Sequence, residues 1–481
     1  MDQRGIYRYE DLINHSARFA SALLKIKPDW KDQPVAFLVH ANFDYVACLW
    51  GIWRAGAIAV PIAVTHPKAE IQHILENTGT EVLIIHEDFE PKVKDLIAKP
   101  NIILLKVQDM YSEYIADVPK VDEDRAALIL YTSGTTSKPK GAIHTHKSIK
   151  AQVKILIEAW EWTSKDVILN VLPLHHVHGV INVLSCCLWA GATCEMLTKF
   201  DPEVVCTYMI YDNPTIFMAV PTIYHKLIDF WEKCPLEEQL QISKACARMR
   251  LMISGSAALP ATILEKWYKI SHHILLERYG MTEVGMILSN SLHGKRHIGL
   301  VGKTLPHVFV RLVDEQQNVI TEINTQGEIQ VKSAGVFAGY WKDEEFTKNA
   351  FQDGWFKTGD IAIQNEHGDF KIIGRHNIDI IKTGGHKVSA LEVEDVLLSN
   401  LAIDECAVVG LDDEEWGQKI AVAFVLEEGQ TFDEIAIKEW AKDKLTNYKI
   451  PSVWLMVENL PHNAMNKVVK SKVKELFAVK A

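Results

Sequence analysis

The sequence predicts an α/β fold: a large N-terminal domain of layered α/β sheets carrying a β-rich subdomain, then a small α+β domain at the C-terminus. Three observations predict it. As far as Val220, apolar runs of strand length alternate with amphipathic helical patterns. After about Gly299 this gives way to short strands separated by turns. Past Gly374 strands and helices mix again over roughly a hundred residues, the size of one small domain. At 481 residues the chain is long enough for several buried layers.

In chain order, Tyr9–Lys25, Phe43–Ala55 and Ala69–Asn77 read as helices. Pro34–Val39, Glu81–His86, Ile102–Val107, Val167–Val171 and Thr215–Val220 read as strands, largely parallel because helices separate them. Ala126–Leu130 reads as a buried strand. Val180–Ala192 is mostly apolar but is interrupted by Asn182, Ser185 and Gly191; it is too short for a membrane span and reads as a buried helix. Val308–Asp314, Gly327–Lys332 and Asp369–Ile373 are short strands. Glu392–Ser399 and Phe432–Lys444 are helical, with strands Glu405–Leu411 and Ile420–Leu426 between them.

A 48% apolar, 23% charged composition is that of a soluble globular chain, and a net charge of −11 argues against nucleic-acid binding. Anions must then be met by local positive focus, offered by Lys138, Lys140, Lys147 and Lys150, and by Lys467, Lys470, Lys472 and Lys474. The eight cysteines form no CxxC pair and read as reduced thiols without a metal. The N-terminus has neither a secretory signal nor an Arg-rich transit character, so the expected compartment is the cytoplasm, or the mitochondrial matrix if a transit peptide has been removed.

The segment Tyr131–His146, YTSGTTSKPKGAIHTH, follows a buried strand and gathers Thr132, Ser133, Thr135, Thr136 and Ser137 around Gly134, then Lys138 and Lys140. Hydroxyls and backbone N–H groups donate, glycine permits close approach and lysines add charge, which suits a phosphate. It is not the Walker pattern. ERYGMTEVG, Glu277–Gly285, offers a flat ring at Tyr279, a hydroxyl at Thr282 and a hard-cation ligand at Glu283. SGSAALP, Ser254–Pro260, puts small residues after an apolar run, leaving room for a ligand or making a tight turn. GWFKTGDIA places Asp360 where a carboxylate can accept from a diol or cap a turn. LHHVHG brings His175, His176 and His178 together, a poor metal set that reads better as acid-pocket lining. Arg250 and Arg296 flank these motifs; two guanidiniums suit a second carboxylate, or else make structural salt bridges.

In order and wording these motifs resemble the adenylate-forming superfamily over almost the whole chain. LPLHHVHG, RLMISGSAALP, LLERYGMTEVGM and DIIKTGGHKVSALEVE are most similar to its malonyl-CoA synthetases. The resemblance implies an ATP-dependent acid–thiol ligase that converts malonate, or methylmalonate, and coenzyme A to the thioester through an acyl-adenylate, with Mg²⁺. It implies an N-terminal domain over 1–375 and a mobile lid over 376–481 with its hinge at Asn377. By resemblance Lys467, Glu283 and Thr282 are catalytic, and Glu283 with Thr135 holds the metal. The nucleotide falls to Thr132, Ser133, Gly134, Thr135, Thr136, Lys138, Lys140, Ser254, Gly255, Ser256, Ala257, Glu277, Arg278, Tyr279, Gly280, Met281, Asp360 and Arg375. Arg250, Arg296, His176 and His178 face the acid, and Lys382, Gly384, Gly385 and His386 serve thioester formation.

Ser137, Asn377, His386 and Asn466 depart from the common pattern, with Asp379 a candidate replacement for the hinge charge. Small molecules are the expected partners, with no nucleic acid or membrane, and the chain is expected to be a monomer or weak homodimer. Three alternatives stay open: a ligase for a short- or medium-chain monocarboxylate, an enzyme passing its acyl group to a carrier protein, and a non-catalytic adenylate-binding protein.

Overall fold

The computed structural model describes residues 1–97, 102–111, 113–132, 139–375, 378–463 and 467–478. Two seven-stranded sheets form the body of the large unit. The first runs, in spatial order, Gly339–Tyr340, Lys140–Thr145, Ala126–Thr132, Ile58–Pro61, Pro34–Leu38, Val82–Ile85 and Ile103–Lys106. The second runs Lys303–Thr304, Gly285–Ser289, Leu276–Met281, Leu251–Ser254, Ile216–Ala219, Val167–Asn170 and Thr193–Met196. Their central strands are parallel. They are Val-, Ile- and Leu-rich and buried on both faces, as parallel strands between helical layers must be.

The predicted helices and strands of this half appear within a residue or two of their expected ends. The apolar stretch after Val177 is helical and buried, but it opens as a π-helix, His178–Ser185, before an α-turn at Cys186–Ala190. A wide helix at this position is typical of functional sites, because it re-aims side chains out of the regular spiral. Gly191, at φ +72°, ends it in the left-handed conformation.

A five-stranded antiparallel sheet follows, built on Val308–Val313, Gln326–Ser333, Trp355–Gln364, Phe351–Gln352 and Phe370–Arg375. The last sheet, with Ile380–Thr383, His386–Ser389, Ile403–Asp413, Gly417–Leu426 and Val453–Met456, has apolar clusters of its own on both faces. Helix Ala390–Leu397 covers one face and helix Lys470–Ala478 the other.

Among the described residues, polar contacts join this last unit to the rest. Asp395 accepts from the Ala261 N–H at 3.2 Å, His225 pairs with Asp404 at 3.2 Å, and Lys387 pairs with Glu315 at 2.6 Å. Such a seam can part, unlike the apolar cores on either side.

Candidate active site

Parallel strands present their carboxyl ends at one edge of a sheet, and loops leaving that edge converge on a ligand. Here the edge of the second sheet holds Ser254–Ser256 and the end of Leu276–Met281. Ser254 is fully buried and its Oγ has no partner among the described residues. Gly255 lets the Arg278 side chain lie close: a Cβ there would sit 2.5 Å from its Cζ and displace the guanidinium. Ser256 is turned to φ +71° and meets His178 Nδ1 at 3.1 Å and Arg278 at 3.4 Å.

Arg278 is the most informative group in the cleft. Its guanidinium is buried, Nε has no partner, and no ion pair to it occurs among the described residues. Burial alone pushes it down to about 9. A buried cation without a counter-ion is costly, so the arrangement calls for an anion.

Lys467 enters the same cleft. Burial, then the neighbouring Arg278 and Arg375, pull it down to about 8, while Asp360 opposes the shift. Its backbone is held by a pair of hydrogen bonds with Asn463, at 3.0 and 2.9 Å. His176 and His178 are held neutral: burial dominates, and His175, Arg278 and Lys467 add repulsion. The rings of His175 and His176 lie 4.3 Å apart, with His66 5.5 Å from His175. Arg278 and Arg375 lie close enough to Lys467 to repel it, and beside neutral histidines the three concentrate positive charge that suits a polyanion.

Beside it lies a carboxylate cluster. The Tyr279 hydroxyl donates to Asp360, which also receives Arg375 Nε at 3.0 Å across paired strands. Glu283 is buried and accepts from Tyr340 at 2.9 Å; burial raises it, and the Tyr340 bond and Arg375 only partly offset this. A buried carboxylate whose one direct side-chain partner among the described residues is a hydroxyl fits a hard divalent cation that would complete its charge balance. Gly280 sits at a bulge where a Cβ would come 2.1 Å from the Gly285 carbonyl oxygen. Thr282 adjoins the buried His144 ring through its backbone, and Met281 lies in the same strand. Glu277 is driven up to about 8 by burial and accepts from the Gly299 N–H at 3.3 Å. Ala257, in the SGSAALP turn, is exposed.

The structure corrects two expectations. Arg250 does not face the acid. It lies at the amino-terminal end of Leu251–Ser254, forks Asp166 at 2.6 and 2.8 Å, and donates to the Trp160 carbonyl. Asp166 and Thr215, which bond each other at 2.8 Å, mark this as the opposite edge of the sheet. Arg296 is likewise occupied, donating to the carbonyls of Ser291, Ile274 and Leu292. Both guanidiniums fasten loops.

Other expected groups have local partners too. Lys147 and Lys150 pair with Asp124 and Glu123, and Lys140 pairs with Asp343 at 3.4 Å and lies over the Phe346 ring. The Thr132 hydroxyl donates to the Lys140 carbonyl at 3.4 Å. Asp379 is committed to Lys470 at 2.6 Å and to the Arg375 N–H, so it is not a free hinge charge. Lys382, Gly384, Gly385 and His386 form an exposed turn, with His386 stacked 4.2 Å from Tyr448, away from the cleft. Ser133, Gly134, Thr135, Thr136, Ser137, Lys138, Asn377 and Asn466 lie outside the described residues.

Sequence reasoning assigned Arg278 to the nucleotide; the signal it passed over was an arginine inside a strand flanked by Leu275, Leu276 and Met281. Tyr340 was not anticipated, and a partner 57 residues from Glu283 leaves no local trace.

Comparison with known proteins identifies the family. Residues 2–341 match the AMP-binding enzyme family and residues 392–467 match the AMP-binding enzyme C-terminal domain. The chain is 40% identical to a mitochondrial malonate–CoA ligase of Xenopus laevis, covering 98% of this chain and 88% of that one. ATP-bound MatB from Rhodopseudomonas palustris superposes with a TM-score of 0.91 at 29% identity, over 99% of this chain and 95% of that one. The apo form of MatB, with the same identity and coverage, gives 0.80. The present arrangement, with Lys467 in the cleft, is thus closer to the nucleotide-bound form.

Proposed function

The chain belongs to the AMP-binding enzyme family, and from that premise we propose that it is an AMP-forming ligase joining malonate to coenzyme A through malonyl-AMP. The observation that carries the choice of acid is Arg278, a buried guanidinium beside neutral histidines with no anionic partner among the described residues. A dicarboxylate supplies one carboxylate to react and a second to pair with that cation; a monocarboxylate would leave it bare. The assignment of the distal carboxylate therefore moves from Arg250 and Arg296 to Arg278, with His176 and His178 lining the pocket.

In the first step a carboxylate oxygen of malonate attacks the α-phosphorus of ATP, and the bond to pyrophosphate breaks. Lys467 stabilises the charge that accumulates between the two anions. Tyr279 and Asp360 hold adenosine, with Asp360 and Arg375 on the ribose side. Mg²⁺, held by Glu283 with Thr135, would neutralise phosphate charge when bound.

In the second step Lys467 withdraws as the unit over 376–481 turns about Asn377, and the Gly384–Gly385 turn takes its place. The thiol of coenzyme A then attacks the acyl carbon, AMP leaves and the thiol proton is released. Exchanging two faces of one lid lets a single pocket host both reactions. The polar seam of Asp395, His225 and Lys387 suits such exchange.

All the described cysteines are free thiols, and no helix of the described residues is long and apolar enough to cross a membrane. ATP–pyrophosphate exchange dependent on malonate tests the first step. Lys467→Ala abolishes it while conversion of supplied malonyl-AMP to thioester largely survives; equal loss of both would remove Lys467 from the adenylation step.

A further inference from the structure

At the carboxyl edge of the first sheet we propose a binding site for a zinc-class divalent ion, made by His40, His86 and Asp88. Pro34–Leu38 and Val82–Ile85 are neighbouring parallel strands in register, Leu38 opposite Ile85. His40 and His86 leave the same edge, and the His86 N–H donates to the Leu38 carbonyl at 3.1 Å, which pins the two strand ends together. Asp88 lies in the short 3₁₀ turn Glu87–Phe89 that follows, and Phe89 packs 4.6 Å from the His40 ring.

One carboxylate oxygen stands between the two imidazoles. Asp88 Oδ2 is 3.3 Å from His40 Nε2 and 3.2 Å from His86 Nδ1, and the three potential ligand atoms all lie within 4.8 Å of one another. Bonds of about 2.0–2.1 Å to a tetrahedral ion place ligand atoms about 3.3–3.4 Å apart. Charge-assisted hydrogen bonds would draw them closer, to about 2.7–2.9 Å. The two spacings to Asp88 are therefore those of coordination edges, and the two histidine nitrogens lie within 4.8 Å of each other. His86 Nδ1 accepts from the Asp88 N–H only at 3.5 Å, a long bond that a metal ion would replace. Two imidazoles and a carboxylate are the donor set of zinc, nickel or copper and not of magnesium. With side-chain exposures of 28%, 27% and 61%, the group is open to entering ions and leaves a fourth position to water.

The test uses the full chain stripped with chelator and titrated with Zn²⁺ alone by calorimetry, with Co²⁺ absorption as a second readout of tetrahedral geometry. One equivalent should bind at micromolar concentration, and His40→Gln, His86→Gln and Asp88→Asn should each weaken it by at least roughly tenfold. His293→Gln, on a different surface, leaves it unchanged. Asp88 is exposed, so its variant remains informative if a histidine variant folds poorly. No binding at roughly 100 µM zinc, or binding undiminished in any of the three variants, overturns the site.

Discussion

Replacing Arg278 by Met removes the charge and retains most of the side-chain volume. In the free enzyme this relieves a buried, unpaired cation already pushed down to about 9. The variant therefore folds at least as well as the parent, and its thermal midpoint does not fall. With malonate bound the balance reverses, because the distal carboxylate is left buried without a counter-ion. Removing one partner of a buried pair costs about 3–5 kcal/mol, and about 1.4 kcal/mol is tenfold in rate. kcat/KM for malonate should fall by roughly 10² to a few times 10³, while butyrate, with no second carboxylate, loses little or gains. The assay is coenzyme A-dependent AMP release with the two acids in parallel, read as the ratio of their kcat/KM values. Equal losses for both acids would refute the reasoning and make Arg278 a general structural or nucleotide contact.

Further expectations follow from the same geometry. Arg250→Met leaves the malonate-to-butyrate ratio unchanged but strips Asp166 of its fork, lowering stability by roughly 1–3 kcal/mol in denaturant melts. Gly255→Ala forces a Cβ against the Arg278 Cζ and selectively depresses malonate turnover. Lys467 near 8 must be charged to act, so adenylation kcat/KM in the free enzyme falls above about pH 8, and Arg278→Met, by removing a repelling cation, moves that limb upward. The same lowered value has a stability sign. Between about pH 8 and its unfolded value near 10.4 the unfolded chain binds the extra proton, so stability rises with pH there, and Lys467→Met raises the ligand-free melting midpoint at pH 7. Glu283→Gln abolishes Mg²⁺-dependent pyrophosphate exchange without loss of fold, read by exchange rate and melting.

Most of the architecture was legible because its signals are local. Strands such as Pro34–Leu38 and Ile216–Ala219 are continuous apolar runs bounded by polar residues, and the amphipathic helices between them require crossovers. The motif loops were legible for the same reason, each being a contiguous stretch. Arg250 and Arg296 misled because sequence proximity to a motif does not say which end of a strand a residue occupies. Four residues of strand separate Arg250 from Gly255 and carry it across the sheet to Asp166. Arg278 sat in plain view but was grouped with its motif; only its burial without a counter-ion marks its separate task. Tyr340 beside Glu283 and the His40–His86–Asp88 group depend on long-range packing and register, which no local pattern encodes.

The most direct test of the central claim is AMP release by the purified protein with ATP, Mg²⁺ and coenzyme A across malonate, methylmalonate, acetate, butyrate and octanoate. The account expects strong, coenzyme A-dependent turnover confined to malonate and its methyl homologue. Turnover favouring butyrate or octanoate, or none with any acid, would contradict it.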